Sequence, residues 1–315
     1  MIYPSELSIE LTNICNLKCA LCDNPFIERP KGFMDLEKFK KLIDETDSYV
    51  KSLNFGVTAE PLLHPKIEEF IAYAKSKGKR TSITSNATLM EGKAASIIKA
   101  GLDNAVLSFD GFTRETYEEY RKPAVIGVDN FSLAKKGIET LCAEKKRLEK
   151  NNPNIIVSFM VNKYNEHEIG QMKKWSKEIG VNTLLLKAMH FAWVAGDVSG
   201  VAKQWESTNK EFVRRFDYTK LGTCSWVNNN SVVYWNGELA SCCFDLLGHT
   251  KFGNVFEEGF KKIWESEDHK QKQIAMTQRT LKQCIGCSSG VKLGTYINHT
   301  PKSLVAGIID KMGLD

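Results

Sequence analysis

Short β-rich runs alternate with helix-patterned segments through the first two-thirds of this 315-residue chain, and that rhythm is what most limits its fold. Leu7-Ser8-Ile9-Glu10-Leu11 alternates as a strand does, and 36–50 carries apolar residues at helical spacing. Strand patterns follow at 52–57, 80–84, 104–109, 155–161 and 181–186, with helical patterns between them at 66–77, 89–100, 130–150 and 167–179. Gly101 and Gly180 stand where two of these helices should stop. Six β/α repeats of this length imply a parallel sheet with helical crossovers. Such sheets collect their chemistry on loops at the carboxyl ends of the strands.

Beyond about Gly196 the rhythm breaks. Residues 224–287 hold an expected hairpin (Ser231–Trp235, a turn at Asn236-Gly237, then Leu239–Cys242), one short helix and five cysteines. This reads as a small second domain. In the tail, 301–312 has the pattern of an amphipathic helix packed on its own chain.

Composition narrows the class. Hydrophobic residues make up 42% and charged residues 26%, which excludes a disordered, collagenous or small disulfide-stapled chain. A net charge of +5, with lysines and acids interspersed as in 135–150, gives no case for a nucleic-acid partner. No basic leader precedes an apolar stretch, and the most apolar window, 181–196, is broken by Lys187 and His190. A cytoplasmic, membrane-free protein is expected. There, nine cysteines point to metal or redox chemistry rather than disulfides.

Cys15, Cys19 and Cys22 form a C-x3-C-x2-C run just after the first strand. Tetrahedral zinc asks for four ligands, whereas a [4Fe–4S] cluster held by three cysteines keeps one iron open. Zinc with a borrowed fourth ligand is the alternative. A second set, Cys224-x12-Gly237-x4-Cys242 with Cys284-x2-Cys287, could close a site of zinc or iron–sulfur type, and spacing alone does not separate the two.

The first run resembles the signature of the radical S-adenosylmethionine superfamily. Segments at three later strand ends are similar to its further motifs: 58–65 (Thr58-Ala59-Glu60-Pro61) to Gly-Gly-Glu-Pro, 85–89 (Ser85-Asn86-Ala87-Thr88-Leu89) to Thr-Asn-Gly-Thr-Leu, and 108–111 (Ser108-Phe109-Asp110-Gly111) to Ser-Leu-Asp-Gly. Both glycines of the first segment are replaced by Thr58 and Ala59, and the glycine after Asn86 is Ala87. Glycine at such places permits close backbone approach and unusual dihedrals. The second cysteine set resembles the auxiliary-cluster domain of the SPASM and twitch subgroup, in the shortened twitch form because no cysteine follows Cys287.

The resemblance implies an α/β protein: a partial (β/α)6 TIM-like barrel with a small C-terminal auxiliary-cluster (twitch) domain. The expected divisions are 1–200 for the barrel, 201–222 for a connecting helix, 223–290 for the auxiliary domain and 291–315 for a tail helix. Two [4Fe–4S] clusters are implied, one on Cys15, Cys19 and Cys22 and one on Cys224, Cys242, Cys284 and Cys287. S-adenosylmethionine would be bound through Thr58, Ala59, Glu60, Asn86, Ser108, Asp110 and Arg121, the last as a partner for its carboxylate. Reductive cleavage would yield a 5′-deoxyadenosyl radical that takes a hydrogen atom from a substrate carbon, the protein supplying orientation and exclusion of water.

With an auxiliary cluster to accept the second electron, the expected outcome is oxidation of a small-molecule or carbohydrate alcohol. An external one-electron reductant of flavodoxin or ferredoxin type is required. One alternative is a radical epimerase with Cys243 as hydrogen-atom donor. Another is a peptide-modifying maturase, which the placement of the first ligand at residue 15, with no fused peptide-binding domain before it, weakens. Lys187, His190 and Trp193, after the sixth strand, are pocket candidates, His190 as a general base or as a structural histidine. His64 is expected to set its loop, and Cys142 to sit in the core.

Overall fold

A computed structural model describes residues 2–57, 59–189, 198–213, 224, 226–243, 245, 247–281, 284, 287 and 294–299. Six strands run parallel in sequence order: β1 (Glu6–Ile9), β2 (Ser52–Phe55), β3 (Arg80–Ser85), β4 (Asn104–Ser108), β5 (Asn154–Val161) and β6 (Thr183–Ala188). Helices α1 (Leu36–Glu45), α2 (Ile67–Ser76), α3 (Met90–Lys99), α4 (Arg114–Tyr120), α5 (Asn130–Arg147) and α6 (Ile169–Glu178) connect them. The starts are capped by side chains in several cases: Asp35 accepts from the Lys38 amide, Thr113 from that of Thr116 and Asp129 from that of Ser132. Gly101 (φ +93°) and Gly180 (φ +89°) follow the ends of α3 and α6, as the sequence pattern indicated.

A six-stranded arc leaves two edges of unpaired N–H and C=O groups, which are costly or sticky if left bare. Both edges are covered by later chain. β7 (Asn230–Val233) pairs in parallel with β1, aligning Glu6 with Asn230 and Ile9 with Val233. β8 (Glu238–Ala240) and β9 (Lys251–Asn254) continue outward antiparallel. At the other edge β10 (Gly294–Asn298) runs antiparallel to β6. One ten-stranded sheet results, in the order β10-β6-β5-β4-β3-β2-β1-β7-β8-β9.

The expected hairpin is present but shorter. Trp235 lies in the turn, where Gly237 takes φ +92°, and residues 241–242 fall outside the strand. A side chain at 237 would strike Phe256 and the Asn254 amide, so the turn needs glycine. Val233, Leu239, Val255, Phe260, Ile263 and Trp264 join the same buried core as the barrel's Leu7, Phe39 and Phe55. The segment after 223 therefore shares its sheet and its core with the barrel.

Later helices are α7 (Val198–Trp205), α8 (Trp226–Asn229), α9 (Val255–Glu258), α10 (Phe260–Trp264) and α11 (Glu267–Thr277). α7 covers 201–205 of the span expected as a connecting helix, and 214–222 of that span lies outside the described residues. In the span expected as a tail helix, 294–298 is the strand β10, and the helical pattern at 301–312 lies outside the described residues. Among the described residues no helix is long and apolar enough to cross a membrane.

Candidate functional site: two cysteine groups at the strand ends

Because β1–β6 are parallel, their carboxyl ends lie along one rim of the sheet, and the loops after them meet there. The loop after β1 carries Cys15, Cys19 and Cys22, all partly exposed free thiols. It is held from three sides. An antiparallel ribbon joins it to the segment after α4, through Lys18 N–H to the Lys122 carbonyl (2.8 Å) and Ala20 N–H to the Tyr120 carbonyl (2.8 Å). Asn16, inside the cysteine run, accepts from the Asn86 side-chain amide at 2.9 Å and donates to the Thr88 hydroxyl at 2.8 Å. Ile14 offers its carbonyl to the Glu60 N–H.

Glu60 is buried and latches two strand ends together. Its carboxylate accepts from the Leu62 N–H (3.0 Å), the Ser85 hydroxyl (2.8 Å) and the Asn86 N–H (2.7 Å). Burial raises its pKa to about 7 against the pull of those donors. Ala87, in the place of the expected glycine, takes φ +65°. Its carbonyl oxygen would lie 2.3 Å from a Cβ at Gly137, so α5 presses closely against this turn. Alanine here thus adopts the left-handed backbone that glycine takes more readily.

Asp110, just after β4, is buried and shares Oδ2 with Arg121 Nε and Nη2, both at 2.6 Å, while Oδ1 accepts from the Met160 N–H at 2.7 Å. The remaining Arg121 nitrogen reaches the Cys19 sulfur at 3.8 Å. Arg121 thus bridges β4's carboxylate and one thiol of the cysteine run. Ser108 and Ala59 are half-buried on the same rim, and Thr58 lies outside the described residues.

The donor set fits an iron–sulfur centre. Leu17 N–H points at the Cys15 sulfur (3.5 Å) and Asn24 N–H at the Cys22 sulfur (3.4 Å), the kind of hydrogen bond that stabilises a thiolate ligand. Burial drives the Cys15 thiol up to about 11 and the Cys19 thiol to about 12, with Cys22 shifted the same way. Metal binding here must therefore expel protons, and affinity will rise with pH.

In the second group, burial pushes Cys243 to about 12, with Cys287 and Cys224 adding to the rise and Lys187 opposing it. Cys284 is raised to about 11 by burial, then by Cys287 and Cys224, with Arg279 opposing. Cys287 and Cys224 thus act on both Cys243 and Cys284, and Lys187 of β6 acts on Cys243. Cys242 exerts its influence on Tyr234. Among the described residues no three Cys, His, Asp or Glu side chains converge on a point as a single metal ion would require.

Other expectations resolve simply. His64 sets its loop, with Nε2 at 3.0 Å from the Met34 carbonyl and Nδ1 accepting from the Lys66 N–H. Cys142 is in the core. His190 and Trp193 lie outside the described residues. Sequence reasoning passed over Asn16 as a positioning group, although its place inside the cysteine run was a signal. It also passed over the buried Glu10–Arg29 pair, for which no local signal exists.

Comparisons with known proteins bear on these two groups. The Radical SAM superfamily profile matches residues 9–176, and the SPASM profile, an iron-sulfur cluster-binding domain, matches 224–288. The chain is 23% identical over 313 residues to the tungsten-containing aldehyde ferredoxin oxidoreductase cofactor-modifying protein of Pyrococcus furiosus, covering 90% of this chain and 86% of that one. It is 24% identical over 287 residues to the subtilosin biosynthesis protein AlbA of Bacillus subtilis, of which it spans 60%. Among solved structures, BtrN in complex with AdoMet and 2-DOIA has a TM-score of 0.55 at 15% identity, covering 93% of this chain and 95% of that one. SuiB of Streptococcus suis bound to its precursor peptide SuiA has a TM-score of 0.62 at 15% identity, with 85% and 66% covered. These likenesses carry the fold. With two profiles in chain order, each spanning one cysteine group, [4Fe–4S] clusters and S-adenosylmethionine are the implied cofactors, and the chain belongs to the radical SAM superfamily and carries a SPASM-type auxiliary domain.

Proposed function

We propose that this enzyme oxidises an alcohol carbon of a small molecule or carbohydrate in the cytoplasm. Cys15, Cys19 and Cys22 would hold the first cluster, and Cys224, Cys242, Cys284 and Cys287 the auxiliary one. When bound, the first cluster and S-adenosylmethionine supply a 5′-deoxyadenosyl radical able to take a hydrogen atom from an unactivated carbon. Glu60 and Asn86 order the rim against the cysteine loop, and Arg121 sets a fixed positive charge beside Cys19. The observation that carries the reading is the second cysteine group, matched by the SPASM profile over 224–288, in a segment that shares one sheet and one core with the barrel. A second centre next to the substrate-facing rim is suited to accept the electron left on a substrate radical.

The near end-to-end match to BtrN, a protein crystallised with 2-DOIA, supports a small substrate. One observation favours a second reading: the partly buried thiol of Cys243, packed against the cluster of Val232, Tyr234 and Ala240, is suited to return a hydrogen atom in an epimerase.

The test uses anaerobically reconstituted protein, dithionite, S-adenosylmethionine and a panel of C-deuterated polyols and amino sugars. Deuterium transfer into 5′-deoxyadenosine with a ketone product supports oxidation. Solvent deuterium in an otherwise unchanged substrate, lost in Cys243→Ala, supports epimerisation. Absence of 5′-deoxyadenosine from every reaction would overturn both.

A further inference from the structure

We infer that Arg121 is a positioning residue for the first cluster: clamped by Asp110 and set opposite Cys19, its guanidinium raises the potential at which that cluster accepts an electron. The inference rests on the radical reading above and adds what sets the energy of that electron. Lys18 N–H bonds to the Lys122 carbonyl and Ala20 N–H to that of Tyr120, so Cys19 and Arg121 stand directly opposite each other in an antiparallel ribbon. Leu17 and Pro123 continue the same register. Opposed residues of such a ribbon share a face, and Arg121 Nη1 lies 3.8 Å from the Cys19 sulfur. The three thiols are not served alike. Cys15 and Cys22 receive neutral backbone N–H groups from their own loop, those of Leu17 and Asn24. Cys19 receives a cation from a residue 102 positions away.

Asp110 fixes that cation in place. It holds Nε and Nη2 on one oxygen, both at 2.6 Å, which occupies an edge with which a guanidinium forks a carboxylate. The carboxylate of S-adenosylmethionine, the expected partner of Arg121, therefore has a competitor already seated. Asp110 is anchored in turn, its Oδ1 accepting from the Met160 N–H and its backbone carbonyl from the Asn165 amide. The Arg121 side chain is 12% exposed and that of Asp110 1%, so water screens neither charge strongly. The cation touches the sulfur, and the anion lies behind it. The other charged side chains near this ribbon, Lys18, Lys122, Asp23, Glu60 and Glu119, are unchanged in every variant below. Reduction adds a negative charge to a cluster, and its potential follows the net charge and the hydrogen bonds at its sulfurs. Arginine keeps its protons throughout. One electron enters from the external one-electron donor, no bond forms or breaks, and no proton moves.

A redox titration of the reconstituted full chain, followed by electron paramagnetic resonance, tests this without turnover. The signal to read is the one that Cys15→Ala/Cys19→Ala/Cys22→Ala lacks. Arg121→Gln should lower its midpoint and Asp110→Asn should raise it, at unchanged iron per chain. Arg121→Lys keeps the charge without the fork and should fall between wild type and Arg121→Gln. Where Arg121→Gln binds no iron, Arg121→Lys carries the comparison, and its midpoint should lie below that of wild type. A pair that merely holds the loop would shift both charge-removing variants in one direction or neither, and either result overturns the inference. So does an unchanged midpoint in Arg121→Gln accompanied by lost affinity for S-adenosylmethionine in calorimetry, which would assign the arginine to that carboxylate. A wild type that takes up no iron overturns the radical reading as well.

Discussion

Arg29 grips Glu10 with both prongs of its guanidinium, Nη1 to Oε1 at 2.8 Å and Nη2 to Oε2 at 3.0 Å, and both side chains are buried. The guanidinium lies 3.6 Å over the Tyr234 ring, and Glu10 also accepts from the Trp235 N–H. Glu10 directly follows β1, Arg29 follows the cysteine run, and Tyr234 opens the hairpin turn. One ion pair therefore joins the cysteine loop to the segment that leads into the second cysteine group.

Arg29→Met should destabilise the protein by about 3–5 kcal/mol, because it strips a buried carboxylate of its cation. Arg29→Lys should recover little, since an ammonium neither forks nor stacks. The double variant Glu10→Gln/Arg29→Met should be more stable than Arg29→Met alone. Urea denaturation of the three variants checks the order.

Ala87→Gly should stabilise the fold by about 0.5–1 kcal/mol. Relief of a left-handed alanine is worth roughly 1–2 kcal/mol, and glycine's extra chain entropy takes back part of it. Ala87→Val, at the same φ of +65° with a branched Cβ, should be markedly less stable. Thermal melts of both variants decide the matter.

His269 packs against Trp264, ring centroids 4.1 Å apart, and burial holds its imidazole down at about 4. A histidine depressed on folding stabilises the fold above its unfolded pKa near 6.5 and loses that contribution as pH falls toward 4. The loss should be about 1–2 kcal/mol, part of the charge being screened by solvent. Melting temperature measured from pH 7.5 to 4.5 should fall more steeply in wild type than in His269→Phe. Parallel curves would refute the assignment.

Iron and acid-labile sulfide after reconstitution should stand at about eight of each per chain, two [4Fe–4S] units. Cys15→Ala/Cys19→Ala/Cys22→Ala and Cys224→Ala/Cys287→Ala should each lose about four. About four in wild type and in the Cys224/Cys287 variant alike would remove the auxiliary cluster and the electron-acceptor argument with it. Because buried thiols must lose protons to bind, reconstitution should be faster at pH 8 than at pH 7.

Much of the site was legible in the chain because its signals are local. The C-x3-C-x2-C run, Glu60, Asn86 and Asp110 all stand at ends of strands whose periodicity is plain, and parallel strands bring their ends to one rim. What Glu60 and Arg121 do was not: besides the Leu62 N–H that Glu60 accepts, their side chains bond to groups at least 11 positions away, Ser85, Asn86, Asp110 and Cys19.

By itself, the sequence determined the six β/α repeats, the two cysteine groups and the superfamily, because periodicity, capping and ligand spacing act over a few residues; it pointed to one short helix in 224–287, where the structure has α8 to α11. Only the tertiary structure decided that β7 seals the β1 edge, that β10 seals β6 and that Arg29 is clamped under Tyr234. Those contacts join segments up to 224 positions apart, as between Glu6 and Asn230. No short-range pattern encodes them. They follow from the need to pair exposed strand edges and to neutralise a carboxylate buried at the end of β1.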